Sequence, residues 1–518
     1  MMGWISNKLF TGVVLSTLLF TLTGGCDTAP APTPVITDGL PELPQPVVGG
    51  EFPRSDPRDP LDVRIALVGE VRGELEPCGC PTLPYGGFAR RSALLDELRK
   101  DGPLFHLDAG ELLLKGFSTD RNKDRVERAQ TLMKLSAEVG VDVWVPGPTD
   151  MLMLKSLSLP TGPTRISASY TDAQGRLLYE PTKVLERGGA RIGIVGLSAP
   201  VMDPEMKKVV HTRDPVEAAK DGLGRLKDNL DLIIALGNIS DETAQAVARE
   251  VPGLAAVLTI RGGAYDTPAP ASLPLAKTPP VIEAPDRGRY VQFLQFRVGA
   301  PAGTAALVHP EARLWRERTA SGDDGPFTEL GRGRNLLGVS TIPLGKDLDG
   351  SQAPRAGVTQ ALDRFKSQSL ASAAKRATQA PAPSVPKFAS SGGCVHCHSS
   401  EFARWSLSGH AKAWMALVER QQTQNPECLP CHTTAWGEPS GLGALTDSGI
   451  RKFKGVQCEA CHGPMGGHPE DPRVRPKPIT EETCVGCHDT ANSPDFDYAK
   501  YLPMASCQGG SPHMGVAP

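Results

Sequence analysis

Eight of the twelve cysteines in this chain fall into four pairs of one spacing, and each pair is followed at once by a histidine. The four runs are Cys394-Val395-His396-Cys397-His398, Cys428-Leu429-Pro430-Cys431-His432, Cys458-Glu459-Ala460-Cys461-His462 and Cys484-Val485-Gly486-Cys487-His488. Residues i and i+3 share one face of a helical turn, so each pair presents two thiols side by side with an imidazole just beyond them. Two such thiols can form thioethers with the two vinyl groups of one haem, and the histidine then lies beneath the iron as its proximal ligand. The spacing predicts four covalently attached haems c, held by Cys394, Cys397, Cys428, Cys431, Cys458, Cys461, Cys484 and Cys487, with His398, His432, His462 and His488 on iron. CxxC alone also serves zinc sites and redox dithiols. A pair of zinc sites, or four separate disulfides, would leave all four histidines without a role.

A second axial ligand must come from elsewhere in the segment. The remaining histidines are His396, His410, His468 and His513. His396 lies inside its own motif, facing away from that haem, and is not expected to ligate. His410, His468 and His513 are candidate metal ligands, each weighed against a solvated surface histidine; for His513, close to the chain end, the two readings balance. Met415, Met465 and Met504 are further candidates, more readily read as packing residues.

A histidine soon after the first motif, a third motif continuing Gly463-Pro464-Met465-Gly466-Gly467-His468, and a closing Phe496-Asp497-Tyr498-Ala499-Lys500-Tyr501 together resemble the tetrahaem cytochromes c that carry electrons from hydroxylamine oxidation, across residues 390–502. The resemblance implies that His410 and His468 are distal ligands to haems other than those of their neighbouring motifs. Three distal histidines cannot serve four irons, so at least one haem is expected to be five-coordinate or methionine-ligated. The reading is electron transfer with redox partner proteins. Its alternative is reduction or oxidation of a small nitrogen compound at an open haem.

The elements that must carry these motifs start with the export of the chain. Lys8 precedes the apolar run Leu9 to Leu22, which ends at Gly24, Gly25 and Cys26, so residues 1–25 read as a secretory signal peptide. Leu22-Thr23-Gly24-Gly25-Cys26 resembles a bacterial lipobox, with Thr23 where an aliphatic residue is usual, and implies lipidation of Cys26. The competing reading is an ordinary signal peptide with a chance cysteine. Residues 26–60 are proline-rich and read as a tether. An extracytoplasmic, lipid-anchored location, periplasmic or on the outer-membrane side, suits haem attachment, which bacteria perform outside the cytoplasm. A net charge of −3 with no basic stripe gives nucleic-acid binding no support.

With 518 residues, 40% apolar and 22% charged, the chain can fill two or three globular domains. Over residues 62–300, buried strands are expected at 63–68, 104–107, 141–145, 191–197, 232–236 and 255–260, and helices at 88–100, 124–139, 215–229 and 241–251. This is an α/β layered sandwich, with Ser240 a natural cap for the last helix. Residues 301–385 read as an extension and linker containing a helix from 355 to 377, and 386–518 as a mostly helical domain packed around haems.

The order of segments in 62–300 resembles metallophosphoesterases of the secreted 5′-nucleotidase type, which hold two metals through carboxylates, histidines and an asparagine. Here the first metal motif reads Glu70-Val71-Arg72-Gly73, the second Gly110-Glu111, and the third Gly147-Pro148-Thr149-Asp150. The later histidines are replaced around Gly237-Asn238 and Arg261-Gly262-Gly263-Ala264. A guanidinium is always protonated and cannot ligate a metal, so Arg72 in place of an imidazole argues for a scaffold that has lost its dinuclear centre. An active phosphoesterase with rebuilt ligands and a partner-docking module are the alternatives. Cys78 and Cys80, followed by Gly86-Gly87-Phe88-Ala89-Arg90-Arg91, sit where α/β folds place chemistry and form a possible redox or ligand pair beside Arg90 and Arg91. A strained disulfide or two inert thiols is the favoured reading of that pair, since no third ligand is visible.

Overall fold

The computed structural model describes residues 61–77, 84–114, 124–154, 162–226, 230–262, 279–298, 328–330, 335–350, 353–379, 387–468, 470–471, 473–488, 493 and 495–505. Among them, two sheets stack face to face. The first has the order β13-β14-β12-β1-β2-β3-β4, built from β1 (Leu61–Val68), β2 (Phe105–Asp108), β3 (Val143–Trp144), β4 (Thr164–Arg165), β12 (Tyr290–Val298), β13 (Thr328–Leu330) and β14 (Asn335–Pro343). The second runs β11-β10-β9-β7-β6, from β6 (Thr182–Arg187), β7 (Ala190–Leu197), β9 (Leu232–Gly237), β10 (Ala256–Ile260) and β11 (Val281–Ala284). A small ribbon joins β5 (Tyr170–Thr171) to β8 (His211–Thr212).

The strand sequences explain this layering. β1 reads LDVRIALV, and the alternation of side chains sends Val63, Ile65 and Leu67 between the sheets while Ala66 and Val68 face the helices. A strand covered on both faces needs an almost unbroken apolar run, as here. The inter-sheet core joins those residues to Ile192, Ile194, Ile234 and Leu258 of the second sheet. Outside the first sheet lie α1 (Phe88–Lys100) and α2 (Arg125–Glu138); outside the second lie α4 (Pro215–Arg225) and α5 (Asp241–Glu250), α3 being the short Pro148–Leu154. The Ser240 hydroxyl accepts from Thr243 N–H, as the cap reading requires.

One expectation is corrected. Much of 301–385 belongs to the α/β body and is not a linker: β14 pairs with β12 in antiparallel register from Tyr290↔Pro343 to Arg297↔Leu336. The helix α6 (Ala356–Ala377) buries Val358, Leu362 and Phe365 against the α1–α2 layer. Short, β-rich segments after an uncharacterised stretch carry little periodicity of their own, so their partner strand is invisible locally.

Beyond α6 the chain turns into short helices. The apolar cluster here is small, centred on Trp414, Leu417 and Leu429. Two arginines fasten this segment to the α/β body. Arg376 Nη1 donates to Asp124 Oδ1 at 3.0 Å and its Nε to Gly437 O at 3.3 Å. Arg128 of α2 pairs with Glu427, the residue before Cys428, and also donates to Gly73 O at 2.9 Å.

Candidate functional site

Each motif forms one helical turn. His398 N–H donates to Cys394 O at 3.0 Å, His432 N–H to Cys428 O at 3.1 Å and His488 N–H to Cys484 O at 2.9 Å, while the third motif is the helix Cys458–His462 itself. None of the eight motif cysteines is in a disulfide. Cys394 of the first motif and Cys458 of the third hydrogen-bond each other, which drives the Cys394 thiol pKa up and brings that of Cys458 down to about 7.

The imidazoles are oriented by their second nitrogens. His432 Nδ1 faces Ala413 O at 2.7 Å and His468 Nδ1 faces Val474 O at 2.9 Å. A carbonyl can only accept, so both Nδ1 atoms carry a proton, and in the neutral ring the lone pair is then on Nε2. His488 Nδ1 lies 2.8 Å from the Ser493 hydroxyl. Burial, with His488 nearby, lowers the pKa of His410, and burial lowers that of His462; both are held in the neutral form that can bind a metal. Paired thiols that form no disulfide, beside imidazoles held neutral at His410 and His462, fit haem c, which would supply one-electron ferric/ferrous chemistry.

The distances between rings are specific. His398 and His468 have centroids 6.1 Å apart with planes at 25°, and His410 and His488 are 6.0 Å apart at 58°. His468 thus faces the first motif and His410 the fourth, neither facing the motif it follows in sequence. Among the described residues no imidazole faces His432 or His462 in this way. Phe496 stacks on His488 at 4.9 Å and 14°, with Tyr501 at 6.2 Å. His396 is exposed, as is His398 of the same motif, and Met415 and Met504 are half or more exposed. His513, Cys26, Cys78, Cys80 and Cys507 lie outside the described residues.

In the α/β body, the positions of the metal motifs converge at the ends of β1, β2 and β9, but protein groups occupy their carboxylates. Arg72 Nη2 pairs with Glu70 Oε1 at 2.5 Å, and Gly262 N–H reaches Glu70 Oε2 at 3.2 Å. The Glu111 carboxylate accepts from the Thr149 hydroxyl. Asp150 takes four backbone N–H donors: Glu111 and Leu112 at 3.0 Å, Leu113 and Gly147 at 2.8 Å. Burial pushes the pKa of both Glu111 and Asp150 up, opposed by these hydrogen bonds. Asn238 is spent on the backbone, donating to Ala109 O and Val145 O at 3.1 and 3.0 Å. Glu70, Arg72 and Glu111 hold positive φ of 47°, 48° and 56°, so the strained loop geometry is still present around them. Among the described residues no group of three or more His, Cys, Asp or Glu side chains is disposed to hold a metal ion.

Arg90 and Arg91 do not stand open beside the cysteine loop as expected. Both are buried; Arg90 forks onto Asp349 with two 2.8 Å bonds, and Arg91 lies over the Phe88 ring. Arg90 thus ties α1 to the loop after β14, while Arg91 lies buried near the Asp108 charge.

Residues 393–463 match the family model of cytochrome c554 and c-prime. The C-terminal region carries a cytochrome c554 domain. It is similar to cytochrome c-554 of Nitrosomonas europaea, 29% identical over 86 residues that cover 14% of this chain and 36% of that protein. The region preceding the cytochrome c554 domain is similar to 5′-nucleotidases, among them that of Vibrio cholerae, 28% identical over 170 residues covering 29% of this chain and 30% of the relative. Each match spans about a third of the relative's length. A solved calcineurin-like phosphoesterase from Bacillus subtilis aligns with 60% of this chain and 98% of its own at 15% identity and a TM-score of 0.43.

Sequence reasoning missed Ser493 and Phe496 as partners of His488. Phe496 stood in the closing run that carries the family resemblance, but nothing in its spacing ties it to a particular motif.

Proposed function

We propose that this chain is an extracytoplasmic electron carrier in which four haems c are attached through the CxxCH thiols, beside a phosphoesterase-like body that has given up its metal centre. The observation that carries the reading is the spacing of the two imidazole pairs. Two imidazoles at such a spacing would hold one haem iron between them, one ring nitrogen from each. The pairs His398–His468 and His410–His488 stand at 6.1 and 6.0 Å. A filled sixth position excludes other ligands and limits rearrangement on reduction, as an electron carrier requires.

The chain's own residues prepare this chemistry. Nδ1–H donation to a carbonyl fixes the tautomer of His432 and His468 and raises the basicity of the ligating nitrogen. Phe496 and Tyr501 shield His488 from water. In the α/β body, Arg72 supplies to Glu70 the positive charge that a cation would otherwise bring. Lipidation of Cys26 would hold the protein at a membrane through the tether, with redox partner proteins as its clients. A second reading, small-molecule reduction or oxidation at an open iron, is favoured by one observation: no described imidazole faces His432 or His462.

The test is expression with haem-maturation machinery, a pyridine haemochrome assay and electron paramagnetic resonance of the oxidised protein. Four haems per chain are expected, with both low-spin and high-spin ferric signals. His410→Ala and His468→Ala should each convert one further haem to high spin. No haem with two bound zinc ions would overturn the cytochrome reading; a purely low-spin wild type would remove the open site; unchanged spectra in both variants would remove the ligand pairs.

A further inference from the structure

Glu459 occupies a variable position within the third CxxCH motif, where a charged side chain would ordinarily face solvent. Instead it is 3% exposed. Its carboxylate accepts three backbone N–H bonds from two other parts of the chain: Oε1 from Ala389 at 2.9 Å and from Met465 at 2.8 Å, and Oε2 from Ser390 at 2.7 Å. Ala389 and Ser390 lead directly into the helix Ser391–Cys394 that opens the first motif. Met465 begins the turn that ends in His468, whose N–H returns to Met465 O at 2.9 Å. Gly466 N–H donates to Lys387 O at 2.6 Å, so the lead-in and the turn are also joined to each other.

We propose that Glu459 is the positioning residue for the His398–His468 pair, a carboxylate in one haem-attachment motif that sets the axial ligation of the haem held by another. The proposal rests on the axial reading above. His398 stands two turns of chain from the bound Ser390 N–H, through Cys394, and His468 stands one turn from the bound Met465 N–H. Ser390 is itself held at a φ of 68°, a conformation that a serine keeps only when its surroundings fix it. Gln457 adds a parallel clamp, accepting from Ser391 N–H at 2.8 Å, but it does not reach the His468 turn. Among these contacts Glu459 is the side chain that binds both sides of the pair, beside the backbone bond from Gly466 to Lys387. A metal–ligand bond tolerates displacement of only a few tenths of an ångström, so slack in either segment releases the weaker, distal ligand first.

The experiment uses the full matured protein. Glu459→Ala is expected to keep the haem content of the wild type and to convert one haem to high spin. It should match His468→Ala and add nothing to it in the double variant, while remaining additive with His410→Ala. A general structural role would disturb the His410–His488 signal equally and would not show this dependence on partner. Glu459→Gln keeps one acceptor oxygen but turns an amide N–H toward one of the three donors, so it should give a mixture of the two spin states; it serves where the alanine variant fails to mature. A wild-type spectrum in either variant, or additivity of Glu459→Ala with His468→Ala, overturns the proposal. If His468→Ala itself leaves the spectrum unchanged, the axial reading fails and the positioning role falls with it.

Discussion

Asp108 offers a quantitative test of how the strand ends of the α/β body are held. It closes β2, is fully buried, accepts from Gly110 N–H at 2.9 Å through Oδ1, and has no partner for Oδ2. Burial raises its pKa from 3.8 to about 7, against the opposing pull of the Gly110 N–H and the Arg91 charge. In the unfolded chain the same carboxyl titrates near its ordinary value. Between the two values the folded state binds more protons than the unfolded one, so this group makes stability fall as pH rises. A shift of about 3 units at 1.36 kcal/mol per unit gives about 4 kcal/mol, present below about pH 4 and lost by about pH 7. Asp108→Asn retains an oxygen for the Gly110 N–H and cannot ionise. Its stability relative to the wild type should therefore improve by about 4 kcal/mol between pH 4 and pH 8, read as the change in urea midpoint by far-ultraviolet circular dichroism. Glu111 is raised by burial as well, and the wild-type-minus-variant difference removes its contribution; Asp150, raised by burial and by the Glu111 and Asp108 charges, is relieved of the last of these in the variant, which acts in the same direction. A dication bound beside these strand ends would hold Asp108 ionised, so added Zn²⁺ should leave the difference unchanged. Parallel pH curves for the two proteins, or a difference abolished by Zn²⁺, would refute the reasoning.

Two further outcomes test the rest of the reading. Nucleotides with added Mn²⁺ or Zn²⁺ should not be hydrolysed by the full chain, since Arg72 and Thr149 already occupy Glu70 and Glu111; robust turnover abolished by Glu70→Ala would show a rebuilt metal centre. Cys26→Ala should release the protein from membranes on cell fractionation, and a variant that stayed bound and was cleaved at the same place would assign the anchor to something else.

The chemistry of the haem segment was legible because it is local. Two thiols and an imidazole at i, i+3 and i+4 are brought together by a single turn of helix, whatever the rest of the chain does. Part of the α/β body was legible from apolar runs, the helix expected at 88–100 being α1, Phe88–Lys100, and the strand at 63–68 lying within β1, while β6, β11 and β12 were not foreseen. The exchange of a metal-binding imidazole for Arg72 needed no structure either, since residue type alone bars ligation.

What the sequence could not hold was any relation between residues far apart along it. That β14 completes the first sheet, that Arg90 is buried against Asp349, that His468 faces His398 and His410 faces His488, and that Glu459 serves motifs other than its own are all outcomes of packing. An acid inside a helical turn reads as a solvated face until three N–H groups from elsewhere converge on it. Residue types and local spacing determined which groups of this protein can bind haem. Only the tertiary structure decided which imidazoles face each other, because that distance is set by segments that come together only when the chain folds.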